Sequence, residues 1–348
     1  MSVRQHSPET QCARGGATPA TAPAPTLRLM LVLVGCLLIL PALPGCEHPD
    51  GVSVYTPVER LQFADPLLGA CVRATAERFQ WPTAGRMETL HCTGSGQQRI
   101  GSLEGLEALP NLQDLNLAHN AIRDVTPLQG LKKLARLDLG FNRIDRIEAL
   151  PWAMHIDLNH NQLSDLGWAS TTPAVRTLLL EYNQIDDLTP LRELPWLSEL
   201  RLSGNRISRL DGLEQADRLK YLDLSSNRIA ELGQLRGLRQ LTMLQLAGNV
   251  IHDAGPLAGL LELRNLDLSS NAVRDVSALA GLANLKLLDL SDNPITDVSA
   301  LQVLSELHEL RLRNTPDLPC EQVLLLSKAL GEHVVNAGSD CFAADRRP

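Results

Sequence analysis

The chain has 348 residues, a formal net charge of -8 and only 3% aromatic residues. This length allows two or three compact domains or one elongated repeat array. The acidic balance argues against nucleic-acid partners, which reward a basic face, and so low an aromatic content is unusual for a compact enzyme.

The N-terminal residues have the plan of an export signal. Residues 1–27 are rich in Ala, Pro and Thr, and Arg28 then precedes "LMLVLVGCLLILPAL", an apolar run of 15 residues. A membrane-spanning helix needs about 20 apolar residues. A shorter run that follows a positive charge and ends in small residues is typical of a secretory signal.

The apolar run ends in "LPGC", which resembles the lipobox of bacterial lipoproteins, where the signal is cut before a cysteine that becomes lipid-modified. Leu43 and Gly45 fit this pattern, whereas Pro44 is a less usual occupant of its position. A second match ends at Cys36, but it lies inside the apolar run. Cys46 is therefore the better candidate for lipidation.

The lipobox resemblance implies a signal peptide over residues 1–45 and a short tether over residues 46–64. It also implies an exported protein that is lipid-anchored in the bacterial cell envelope. By the family's sorting rule, Glu47 favours the outer membrane if the source is Gram-negative. An ordinary cleaved signal and an uncleaved anchor are the alternatives.

Residues 65–89 are predicted as an N-terminal cap, in which "DPLLGACVRATAERFQW" indicates an amphipathic helix. Residues 90–314 then repeat one phrase, as in "LSELRLSGNRI" and "LKYLDLSSNRI", at a spacing of 22 residues with one unit of 19. The alternation within "LxxLxL" predicts a short strand with one buried face. Leu222 and Leu224 should point inward, and Tyr221 and Asp223 outward.

The repeat resembles the leucine-rich repeat, specifically the 22-residue bacterial type of internalin-like proteins. The resemblance implies an α/β solenoid of about ten or eleven units, with a parallel β-sheet on its concave face. Stacking makes the core continuous, because each unit buries little alone. Both ends of such an array require caps, and "LPCEQVLLLSKALGEHVVNAGSDC" predicts a helix from about Pro319 in a C-terminal cap over 315–348.

An asparagine closes each repeated phrase and predicts a structural ladder. Buried amides must be hydrogen-bonded, and a stacked column of them can bond the backbone where the chain leaves the strand. The ladder positions are Asn120, Asn142, Asn161, Asn183, Asn205, Asn227, Asn249, Asn271 and Asn293.

The cysteines divide between the caps and the anchor. Each end has a pair 21 residues apart, which predicts Cys71–Cys92 and Cys320–Cys341 disulfides, each worth about 3 kcal/mol by loop entropy. Export makes oxidation reasonable. With Cys12 and Cys36 removed in the signal, Cys46 has no partner, which favours its use as the anchor.

The sequence contains no nucleophile motif, phosphate loop or Cys/His metal spacing, so we predict no catalytic residues, no cofactor and no metal site. His119, His155 and His160 lie in neighbouring repeats, but their spacing suits a metal poorly. The predicted function is therefore binding, and two sets of outward residues are candidates.

The first candidate is a stripe of aspartates in the outward strand positions, among them Asp138 and Asp157, which Arg201 interrupts. Such a stripe suits a basic partner or a cation. The alternative is that "LDLSSN" is simply the most frequent sequence of this repeat and has no role in binding.

The second candidate is the residue before the ladder asparagine, which is His119, Phe141, His160 and Tyr182 in consecutive repeats and small thereafter. These rings predict a column along one edge of the concave face, and Leu179, Tyr221 and Met243 could extend it across the sheet. Exposed rings are candidate hot spots. Local packing against the neighbouring repeat is the alternative.

Together these patterns predict a monomeric, envelope-anchored module that holds an unidentified protein partner on its concave face, with no nucleic-acid partner. The rival interpretation is a structural or cell-wall glycan-binding lipoprotein without a specific protein ligand.

Overall fold

The computed structural model describes residues 54–150, 153–337 and Cys341. The predicted signal peptide and the predicted lipidation site Cys46 lie outside the described residues. Within the described part of the chain, no helix is both long and apolar enough to cross a membrane.

One parallel sheet of twelve strands, in chain order, forms the concave side of a solenoid. The strands are β1 Thr89–His91, β2 Asp114–Asn116, β3 Arg136–Asp138, β4 His155–Asp157, β5 Thr177–Leu179, β6 Glu199–Arg201, β7 Tyr221–Asp223, β8 Met243–Gln245, β9 Asn265–Asp267, β10 Leu287–Asp289, β11 Glu309–Leu312 and β12 Val335–Ala337. The leucine-rich repeat solenoid predicted from the repeat is confirmed, with one more strand than the ten or eleven expected.

The leucines of the repeated phrase form the core. In the unit of β7, Leu222 and Leu224 are fully buried, while Tyr221 and Asp223 are only partly buried on the outer face of the sheet. Neighbouring strands pair in register, so that each inward leucine lies beside the inward leucine of the next unit. The core is therefore one continuous leucine column, which explains why few aromatics are needed.

Short 3-10 turns, such as Thr189–Glu193 and Ser277–Gly281, return the chain on the opposite side of most units. An aspartate precedes several of these turns and accepts a hydrogen bond from the amide two residues later, as Asp275 does from Ser277 at 2.8 Å. No such turn is formed by the described residues between β3 and β4, where the unit is shortened to 19 residues.

The ladder asparagines tie each unit to its neighbours. Asn205 Nδ2 donates to the carbonyls of Leu180 (2.9 Å) and Leu202 (3.0 Å), and its Oδ1 accepts from the Ile185 amide (3.0 Å). The same three-way pattern recurs from Asn120 to Asn293. The asparagines therefore satisfy backbone groups that lie beyond the strand ladder.

The N-terminal cap consists of α1, Pro66–Phe79, and the segment before it. Asp65 caps α1 by accepting from the Leu67 amide at 2.8 Å, and the Cys71–Cys92 disulfide joins α1 to the end of β1. The tether predicted over 46–64 is wrong for residues 54–64. Val58 and Leu61 are buried, and the Val58 amide bonds to the Pro82 carbonyl, because apolar side chains here cover the end of the core.

The C-terminal cap contains α2, Cys320–Leu330, and the predicted Cys320–Cys341 disulfide forms. The helix ends at Leu330, before Gly331, whose φ of 108° suits glycine. The chain then returns as β12, which pairs with β11. This strand explains the higher strand count: the cap contributes to the sheet as well as covering the leucines.

Candidate binding surface

The four predicted rings occupy a position where the backbone is left-handed. The φ angles of His119, Phe141, His160 and Tyr182 lie between 53° and 61°. The equivalent residues in later repeats are small or polar, namely Gly204, Ser226, Gly248, Ser270, Asp292 and Asn314, and share the positive φ. This conformation favours Gly, Asn, Asp and His, and it is a true outlier for bulky side chains such as Phe141 and Tyr182. The backbone conformation therefore does not account for the rings of Phe141 and Tyr182.

The rings stack on one another in chain order and form what we call the ring stack, residues His119, Phe141, His160 and Tyr182. Successive ring centroids are 4.2, 4.1 and 4.4 Å apart, with interplanar angles of 16°. Phe141 and Tyr182 remain 45% and 55% exposed. The rings thus pack against each other, as the packing interpretation proposed, and still present a row of edges to solvent.

Gly204 ends the ring stack. A Cβ placed on Gly204 would lie 2.7 Å from Cδ1 of Tyr182, so the glycine leaves room for that ring. The outer face of Tyr182 is therefore covered by backbone. Along the ring stack, the aromatic faces are largely occupied and the edges are what a partner meets.

The strands bring the other predicted residues beside the ring stack. Asp138, Asp157, Leu179 and Arg201 are consecutive partners in the register of β3 to β6. Tyr221 lies under Arg201, whose guanidinium is 4.6 Å from the centre of the tyrosine ring. All nine predicted partner-binding residues thus lie on β3–β7 or directly beside this part of the concave face.

The aspartate stripe has a local structural role. Asp138, Asp157 and Asp223 each accept a hydrogen bond through Oδ1 from the backbone amide two residues later, at 2.9 to 3.0 Å. The same contact recurs at Asp267 and Asp289. This favours the interpretation of the stripe as part of the repeat's own architecture, since each carboxylate closes the end of its strand.

Negative charge is nevertheless crowded beside the ring stack. Burial raises the pKa of Asp157, and the carboxylates of Asp138 and Glu181 raise it further. Burial also raises the pKa of Glu181, with Asp223 adding to the effect, while Arg201 opposes both shifts. A positive group from a partner would relieve this repulsion.

Arg201 is the main local counter-charge, and it is already engaged by Glu199 at 2.7 Å. A shallow depression of about 320 Å³ lies on the neighbouring strands, lined by residues that include Asp138, Asp157 and Leu179. The N-terminal half of the concave face therefore combines a depression with crowded carboxylates.

Two residues of this surface were missed by sequence reasoning. Glu181 and Asn159 occupy the outward position two residues after the strand, and they bond to each other through Asn159 Nδ2 and Glu181 Oε2 at 3.1 Å. The Glu181 amide also donates to Asn159 Oδ1 at 2.6 Å. Their position in the repeat could have identified them, because every second residue of this phrase faces outward.

Among the described residues, no three His, Cys, Asp or Glu side chains converge in a way that could hold a metal ion. His155 and His160 do not join such a group.

Comparison with known proteins identifies the repeat. A two-copy leucine-rich repeat model matches residues 110–152 and 173–215, and single models match residues 195–251 and 281–301. The chain contains leucine-rich repeats and has an internalin-like fold. No curated protein matches the sequence significantly.

Solved structures of internalins support the likeness of fold. Internalin InlF of Listeria monocytogenes is 25% identical, with a TM-score of 0.66 over 82% of this chain and 93% of that chain. The functional domain of InlJ from Listeria monocytogenes, which includes a cysteine ladder, is 22% identical with a TM-score of 0.64. That likeness covers 77% of this leucine-rich repeat protein and 61% of the InlJ domain, so the chain spans less than two thirds of the latter.

Proposed function

We propose that this leucine-rich repeat protein is a binding module that holds a protein partner on the concave face of β3–β7. The observation that carries the proposal is the ring stack. Four bulky side chains occupy consecutive left-handed positions where later repeats place small or polar residues. The strain at Phe141 and Tyr182, retained at an exposed surface, is of the kind that clusters at functional sites.

Stability alone gives a weak account of the rings. Three stacked pairs contribute about 0.5–1.5 kcal/mol each, whereas a left-handed backbone costs a non-glycine residue about 1–2 kcal/mol. For the strained residues Phe141 and Tyr182 the two effects are of similar size, so stacking at most offsets the strain. Exposed Phe and Tyr beside a crowded carboxylate group offer what protein interfaces use: aromatic anchors bordered by charge.

The geometry disfavours the glycan alternative. Sugars stack on open aromatic faces, and both faces of Phe141 and His160 are covered by neighbouring rings, while Gly204 lies against the outer face of Tyr182. The exposed ring edges carry partial positive charge. They suit carbonyl and carboxylate groups of a polypeptide, while Asp138, Asp157 and Glu181 suit its lysines or arginines.

The proposed module acts as a monomer anchored in the bacterial envelope through lipidated Cys46. Two observations support the anchor: the "LPGC" pattern, and the pairing of the four described cysteines in cap disulfides, which leaves Cys46 for another use. The outer membrane is the proposed location on the strength of Glu47.

The test is a cross-linking pull-down from intact cell envelopes with the full lipoprotein as bait. The Phe141→Ala/Tyr182→Ala variant removes all three ring contacts and therefore loses some stability as well as the surface. The matched control is Ile251→Val/Ile295→Val, which trims two fully buried side chains in the C-terminal half. Each such change costs about 0.5–1.5 kcal/mol without altering the concave face.

The proposal expects a protein captured by wild type and by the core control, and lost with the ring variant. Equal capture by all three would move the binding surface elsewhere. Capture of cell-wall fragments alone, unaffected by ring removal, would favour the structural role.

A further inference from the structure

The N-terminal cap carries a second exposed aromatic cluster, and we propose that it contacts the surface of the lipid bilayer. We call this cluster the cap patch, residues Arg78, Phe79 and Trp81. The inference rests on the proposed lipid anchor at Cys46. It adds that the protein has a fixed orientation on the membrane, with the cap toward the lipid and the array pointing away.

The cap patch is built at the C-terminal end of α1. Phe79 and Trp81 stack with ring centroids 4.7 Å apart, and the Arg78 guanidinium lies 5.5 Å from the Phe79 ring. Phe79 is 49% exposed, while Trp81 is partly buried against the core. Aromatic rings with polar tips, flanked by arginine, are the side chains that settle at membrane interfaces.

A groove of about 590 Å³ lies beside Trp81. Its apolar lining includes Val58, Trp81 and Pro82, and its charged rim includes Arg73 and Glu77. Apolar groups flanked by charged side chains match the boundary between acyl chains and headgroups.

Charge distinguishes the cap from the array. Residues 54–88 contain four arginines and four carboxylates, whereas residues 89–348 contain 25 basic and 33 acidic residues. An anionic bilayer repels the acidic array and tolerates the neutral cap. The cap is therefore the end of the molecule that electrostatics allows near lipid.

The length of chain between Cys46 and the cap limits the distance between the cap and the bilayer. Cys46 and Val54 are eight residues apart, and a fully extended chain spans at most about 3.3–3.6 Å per residue. A lipid on Cys46 would thus hold Val54 within about 30 Å of the bilayer. At such a range even a weak aromatic contact is populated, because the tether makes it intramolecular.

The experiment uses the full lipidated chain, reconstituted into liposomes of phosphatidylethanolamine and phosphatidylglycerol with and without brominated acyl chains. Bromine quenches tryptophan fluorescence only at close range. The compared chains are wild type, Trp81→Phe, Phe79→Ala, and Trp196→Phe as the control. Trp196 is also exposed, but it precedes β6 and stacks with Arg218 on the array.

We expect quenching in wild type and in Trp196→Phe, loss of most of it in Trp81→Phe, and a clear reduction in Phe79→Ala, which keeps Trp81 as reporter. Equal quenching in Trp81→Phe and wild type would overturn the proposal. Absence of quenching in the liposomes, with the cap patch covered only in whole cell envelopes, would also overturn the proposal and would assign the patch to a protein partner.

Flotation and intact mass separate this proposal from the anchor itself. A chain that carries lipid and floats with the liposomes, yet shows no quenching, contradicts the cap contact and leaves the anchor standing. A chain without lipid on Cys46 contradicts both.

Discussion

Replacement of Asn205 with Ala tests what the asparagine ladder contributes. The side chain is 8% exposed and makes one hydrogen bond as acceptor and two close ones as donor. The Leu180 carbonyl also accepts from Asn183, and the Leu202 carbonyl also accepts from Asn227. Both carbonyls therefore keep a donor in the variant.

The Ile185 amide loses its acceptor in the variant, because that acceptor is Asn205 Oδ1. An orphaned buried donor costs about 1–3 kcal/mol. With two carbonyl contacts weakened as well, we expect the free energy of unfolding to fall by about 2 kcal/mol. For a cooperative unit of about 150–250 residues this lowers Tm by roughly 4–8 °C.

The assay is thermal and urea unfolding of the oxidised chain, followed by circular dichroism. The control is Arg206→Ala, since Arg206 is the exposed neighbour and its loss should change stability by less than about 0.5 kcal/mol. If both variants unfold at the same midpoint, the ladder does not stabilise the array as argued.

Three further predictions concern the concave face and the turns. Gly204→Ala should lower Tm more than Gly248→Ala does. Both glycines have φ near 70°, but only the first substitution places a Cβ 2.7 Å from the Tyr182 ring. Equal losses of Tm would contradict the close approach of Gly204 to that ring. Asp157→Asn should raise Tm at pH 7, because burial raises the pKa of Asp157 and its charge opposes folding above that pKa; the gain should fade on acidification as the wild-type carboxyl takes up its proton. Hydrogen bonds from the backbone and side chain of Ser277 lower the pKa of Asp275 in the folded protein. The carboxylate therefore stabilises the fold above its ordinary pKa near 4. This stabilisation is lost as the pH falls through the lower folded pKa. Asp275→Asn should therefore be less stable than wild type at pH 7 and indistinguishable from it once the pH lies below the lowered folded pKa, and a gap that persists in strong acid would contradict this.

Much of the fold follows from the repeat itself. The period of 22 residues, the alternating leucines and the closing asparagine each have one physical use, so strand positions, burial and the ladder can be predicted from them. The two cap disulfides follow from cysteine spacing at the two ends of the array. What the repeat does not determine is its termination, and β12 is an example: "HVVNA" is too short and too unlike the repeat to indicate a strand pairing with β11.

The binding surface could be predicted only in part. The recurrence of rings before the asparagine identifies His119 to Tyr182 as a column, but not that the position is left-handed, since Ser226 and Ser270 share it without distinctive sequence. Mutual stacking of the rings depends on the register of neighbouring turns. Glu181 and Asn159 become candidate binding residues only through their contacts with each other and with Asp157. The sequence of a single repeat does not contain that information.

The central claim is that the partner lies on the N-terminal half of the concave face, and hydrogen exchange on the captured complex tests it most directly. The account predicts slower exchange in the turns that follow β3 to β6, residues 138–142, 157–161, 179–183 and 201–205, with the C-terminal strands unchanged. Protection confined to the 3-10 turns on the opposite side, or to β8–β11, would contradict it.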